Sequence, residues 1–121
     1  MKVLVVEPQK KPYVKDIDDT LESMQSVVGG LIEPVYIDDS EVVLVANEEG
    51  IINNLPFNRA IISGNIIQLA IFGTFFVCGD SENHDDFIGL SEDKISEYSE
   101  RLIRVNNHYS ILKYLESGEN S

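Results

Sequence analysis

Seven short runs rich in branched and aromatic apolar residues lie at 2–6, 13–17, 31–37, 41–46, 60–62, 66–72 and 74–78, parted by clusters of Pro, Gly, Asn, Asp and Ser. Branched side chains fit a pleated surface better than a helix, so each run reads as a strand. The turn clusters between them predict hairpins of 2–6 with 13–17, 31–37 with 41–46 and 60–62 with 66–72. Residues 74–78 have the composition of a strand inside the sheet. The segment 55–59 reads as irregular chain, and 80–86 as a polar loop.

Helical periodicity breaks this pattern in three places. Leu21, Met24, Val27 and Val28 share one helix face, with Asp18 or Asp19 as the cap and Gly29-Gly30 as the stop. Ser91 caps a second helix whose first turn holds Glu92 and Asp93 and whose stripe is Ile95, Tyr98 and Leu102. A third is expected over 110–117 on Ile111, Leu112 and Leu115. The predicted fold is α+β: a mainly antiparallel sheet with one short N-terminal helix and two C-terminal helices. One domain spans 1–117, followed by a frayed tail at 118–121.

Charge narrows the partners. The formal net charge is −12, and residues 16–50 hold ten acids and no base. A phosphate backbone needs clustered Lys and Arg, so nucleic acid is not an expected partner. The acidic block reads either as a solvated face or as an imitation of nucleic acid that occupies a basic protein. No run approaches the roughly 20 apolar residues of a membrane span. The lone Cys78 forms no internal disulfide, and the compartment reads as cytoplasmic.

No nucleophile elbow, phosphate-cradling glycine loop or zinc signature is visible, and no cofactor is expected. His84-Asp85-Asp86 could be a metal or acid-base group but sits in a polar turn. Asp18-Asp19 and Asp38-Asp39 could offer oxygen ligands, yet each also serves as a cap or turn. Cys78, at the end of an apolar run, reads as core. Phe75 and Phe76 point to opposite faces, so one should be core and the other open to a ligand or a subunit.

The three arginines carry most of the binding potential, because a guanidinium grips phosphate bidentately and stays charged. Arg101 and Arg104 neighbour one another on the second helix, although Glu97 and Glu100 stand at i−4 to each and could pair with them instead. Arg59 follows Asn58 and has no acid within ten residues other than Glu49, so its charge wants a partner.

The segments Val3-Leu4-Val5-Val6-Glu7-Pro8, Val28-Gly29-Gly30-Leu31-Ile32-Glu33, Asn47-Glu48-Glu49-Gly50, Leu55-Pro56-Phe57-Asn58-Arg59 and Ile71-Phe72-Gly73-Thr74-Phe75-Phe76-Val77 resemble, in order, an uncharacterised domain family of bacteria, phages and mobile elements. Within it the chain resembles the first type of phage Thoeris anti-defence protein. The likeness covers about residues 1–80 and weakens after Gly79. It implies a non-catalytic sponge that binds cyclic ADP-ribose isomers made by TIR-domain immune enzymes, as a homo-oligomer with pockets between subunits. Chemistry, rather than motif, then selects Arg59, Arg101 and Arg104 for the phosphates, Phe75 or Tyr109 for stacking, and Asn58 or Asn83 for sugar or base. The rival reading is an acidic inhibitor of a host defence protein that mimics nucleic acid; a third is a hydrolase using Asp85 or Asp86 with a metal.

Overall fold

A computed structural model describes residues 1–63 and 66–103. Five strands lie side by side in the order β2 (Tyr13–Asp16), β1 (Lys2–Val6), β7 (Phe75–Asp80), β4 (Val42–Asn47) and β3 (Ile32–Tyr36), every neighbouring pair antiparallel. β8 (Phe87–Ile88) pairs with the far end of β7, beyond the last β1 partner. A separate ribbon, β5 (Phe57–Ser63) with β6 (Ile66–Phe72), packs over one face. The fold is α+β with a mainly antiparallel sheet.

The two sheet faces have separate cores. Leu4, Val6, Leu44, Phe75 and Val77 face the ribbon's Ile61 and Ile71 and the helix α2 (Glu92–Arg101). Val3, Val5, Val43, Val45, Phe76 and Cys78 face the helix α1 (Leu21–Val28) through Met24 and Val28. Side chains alternate across a strand, so a strand buried along its whole length requires cover on both sides. β4 and all but the last residue of β7 meet that requirement.

Several expectations are corrected by this packing. Phe75 and Phe76 are both fully buried, so neither is left open to a ligand. The first helix is capped by Thr20, whose hydroxyl accepts from the Ser23 amide at 3.1 Å, rather than by Asp18 or Asp19. Gly29 closes it at φ +78°, a region where only glycine is unstrained. Strand β5 starts at Phe57, inside the segment expected to be irregular: Phe57 opposes Phe72 and Arg59 opposes Ile71, leaving Asn58 as a bulge residue.

The described residues hold two helices where three were expected. α2 ends at Arg101, and the carbonyl of Leu102 is taken by the Arg59 Nε at 2.9 Å. The described part of the helix thus carries Arg101 alone of the two arginines, and Arg104 lies outside the described residues. The expected helix at 110–117, the tail at 118–121 and the boundary at 117 lie outside the described residues. No helix among the described residues is long and apolar enough to cross a membrane.

Candidate functional site

The seam where β5 meets the end of α2 gathers three of the seven candidate residues. Asn58 donates through its Nδ2 to the carbonyls of Val6 at 2.8 Å and Gly73 at 2.9 Å. Its own Oδ1 and carbonyl accept from the Arg59 Nη1 at 2.8 and 3.2 Å. The Arg59 Nη2 donates to the Lys10 carbonyl at 2.5 Å, and its Nε to Leu102. Both side chains are fully buried, and burial lowers the Arg59 pKa.

Asn58 and Arg59 are thus removed from the ligand set and become a bracket joining β5, the β1–β2 turn and the end of α2. Arg59's partners are the adjacent Asn58 and two main-chain carbonyls distant in sequence, none of them an acid, which is why it looks orphaned when only nearby acids are considered. Phe75 is core, as above. Asn83 is exposed in the 80–86 loop. Arg104 and Tyr109 lie outside the described residues.

Arg101 occupies the outer side of the same seam. Its Nη2 donates to the Ile62 carbonyl at 3.0 Å, its Nη1 to the Tyr98 hydroxyl at 3.4 Å, and its guanidinium lies over the Tyr98 ring at 5.4 Å. The expected ion pair with Glu97 does not form; Glu97 approaches Lys94 at 3.3 Å. Among the described residues Arg101 has no carboxylate within 4.0 Å, and its side chain is exposed. A guanidinium fixed by a carbonyl and an aromatic ring, in so acidic a chain, keeps its charge available to an anion.

Beside it lies a network that sequence reasoning missed. Tyr98, buried, donates to Asp39 Oδ2 at 2.9 Å, and Lys94 Nζ reaches the same oxygen at 2.8 Å and Glu41 at 3.5 Å. Lys94, Tyr98 and Arg101 stand at i, i+4 and i+7, so their common face was available as a signal. Burial alone would raise the Asp39 pKa, but hydrogen bonds from Lys94, the Glu41 amide and Tyr98 hold it below the usual carboxylate value. The Asp39 contact raises the Lys94 pKa, and burial, followed by Asp39, raises that of Tyr98.

Because the Asp39 pKa is lower folded than unfolded, its contribution is complete above the ordinary value of about 4 and is lost as pH falls through the folded value. Asp39→Asn is therefore expected to lower the thermal midpoint at about pH 6 and to do so much less at about pH 3. An equal deficit at both values would detach Asp39 from the acid response.

Three concavities among the described residues have no arginine in their walls. The first is a groove of about 520 Å³ between β6, the face of β3 and the turn after β4, with walls from Val35, Leu69, Ile71 and Ile51 and carboxylates from Glu33 and Glu48. The other two lie by the 80–91 segment and beside α1. In the former, His84 Nδ1 contacts Asp80 Oδ2. The Cys78 thiol is pushed up to about 12 by burial and by the charges of Asp80 and Asp19, which keeps it protonated. No group of three or more His, Cys, Asp or Glu suited to a metal ion is found among the described residues.

Fold and site together define a two-faced α+β domain with a buried arginine bracket, the outward guanidinium of Arg101 and an acid-rimmed groove. The chain belongs to the family described as "Domain of unknown function (DUF3846)", which matches residues 1–103. No curated protein and no solved structure matches it.

Proposed function

We propose that this protein is a non-catalytic capture protein for a small phosphorylated nucleotide of the cyclic ADP-ribose class, acting in the host cytoplasm against TIR-derived immune signalling. The reading is supported by the exposed Arg101 guanidinium, held in place by Ile62 and Tyr98 with no carboxylate partner among the described residues. The resemblance of residues 1–80 supplies the ligand class. One guanidinium does not enclose a doubly phosphorylated molecule, so the reading includes a second protomer that completes the pocket.

Incubating the protein with a cyclic ADP-ribose isomer, removing free ligand and then heat-denaturing the complex should return the intact molecule. Absence of retention, or recovery of a hydrolysed product, refutes storage. Arg101→Ala should weaken retention at least about tenfold, the scale of one lost charge-assisted bidentate contact. Its melting temperature should move little, because the Ile62 contact it loses is exposed and the hydrogen bond to Tyr98 is long at 3.4 Å. Unchanged retention would release Arg101 from the site.

A second reading, an acidic inhibitor of a basic host protein, is favoured by a different observation. Glu33 and Glu48 rim the groove, and Leu31, Tyr36, Ile51 and Ile52 are exposed in the same strand and turn region. Exposed apolar residues grouped with charge mark an interaction surface. Salt separates the two: raising ionic strength should dissociate a rim-driven protein complex more readily than an enclosed small anion.

A further inference from the structure

We propose that the groove beside β6 receives an extended, basic segment of another protein, which adds to the β5–β6 ribbon as a third strand. This rests on the edges of the fold and is independent of the small-molecule reading.

An unpaired sheet edge is a template for foreign strands, and proteins blunt such edges with charge, Pro or cover. Among the described residues the outer edges of β2, β3 and β5 are blunted, and β8 is only two residues long. β2 is four residues long and carries Lys15 and Asp16. β3 carries Glu33 and Pro34, which has no amide hydrogen to offer. The outer edge of β5 is capped at the Ile62 carbonyl by Arg101. β6, with the sequence IIQLAIF, has neither charge nor Pro. It pairs only with β5, and no hydrogen bond from another element reaches residues 67–71 among the described residues.

The groove fits such an addition. It runs between the β6 edge and the face of β3, where the ribbon leaves the end of the sheet uncovered. A strand added to β6, at the usual spacing of about 4.8 Å, would enter the groove that Val35 also lines. Its side chains would alternate between that apolar floor and the outside, the usual logic of recognition by strand addition.

Charge selects the occupant. Neither Glu33 nor Glu48 has a cation within 4.0 Å among the described residues, and no lining residue is basic. A second copy paired through the same surface would bring its own Glu33 and Glu48 into the interface, four carboxylates without a cation. A segment alternating apolar residues with Lys or Arg meets both the floor and the rim.

The test uses an acetylated, amidated Lys-Val-Lys-Val-Lys-Val peptide, with the Glu-Val counterpart as comparator, at physiological ionic strength. The basic peptide should bind the full chain at least about tenfold more tightly than the acidic one and slow amide hydrogen exchange at residues 67–71. In the Glu33→Lys, Glu48→Lys double variant the preference should reverse, a gain that misfolding cannot produce. Equal binding of the two peptides, slowed exchange only elsewhere, or an unchanged preference in the double variant overturns the proposal. So does protection of residues 67–71 that grows with protein concentration in the absence of peptide, since the occupant would then be a second copy.

Discussion

Arg59→Ala is expected to cost at least about 3 kcal/mol in urea unfolding, a large share of the roughly 5–15 kcal/mol that holds a domain of this size together. Truncating a large buried side chain leaves a void worth about 2–5 kcal/mol, and each orphaned buried carbonyl adds about 1–3 kcal/mol. Arg59 supports carbonyls of Lys10, Asn58 and Leu102, from three separate parts of the chain. Relief works in the other direction, because the guanidinium is buried with no carboxylate partner among the described residues, and a lone buried charge is costly.

The losses outweigh that relief, since a small replacement restores neither the donors nor the packing. Arg59→Lys keeps the charge but gathers its donors on one nitrogen, which cannot serve carbonyls on opposite sides of a planar fork. It should recover only part of the deficit. Hydrogen exchange should quicken both in the β1–β2 turn and around Leu102. A midpoint for Arg59→Ala equivalent to less than about 1 kcal/mol of loss would show that water or repacking replaces the bracket.

Phe75→Ala and Phe76→Ala should each destabilise the protein by about 3–5 kcal/mol, the usual cost of emptying a buried aromatic site. The informative feature is that the two penalties are similar. Phe75 belongs to the core under the ribbon and α2, Phe76 to the core under α1, and both are fully buried. A sheet with one wet face would give one large and one small effect. If either variant unfolds within about 0.5 kcal/mol of the parent, that face of the sheet is open.

These two predictions concern residues that the sequence read differently, and for related reasons. That Phe75 and Phe76 lie on one strand with opposite orientations is legible in the sequence, because alternation is local. Whether an outward-pointing ring meets water depends on what packs there, and the ribbon and α1 come from elsewhere in the chain. Arg59 has no nearby acid, yet it is satisfied by the neighbouring Asn58 and by carbonyls 49 and 43 residues away. Asn58 likewise hid a strand, since a bulge residue that spends its side chain on Val6 and Gly73 does not alternate with its neighbours.

What the sequence determined by itself was the set of local choices: the three hairpins and most of their strand residues, the Ser91 cap and the stop at Gly29, all governed by contacts within a few residues, whereas the start of β5 and the short β8 were not among them. It also fixed the excess of carboxylates. The tertiary structure alone decided that the sheet is clad on both faces, that Asp39 sits between Lys94 and Tyr98, that Arg59 turns inward while Arg101 stays outside, and that β6 keeps an unblunted edge beside an acidic rim. Those outcomes depend on which elements pack together across the fold, and packing of that range is set by burying the two faces of one sheet at once.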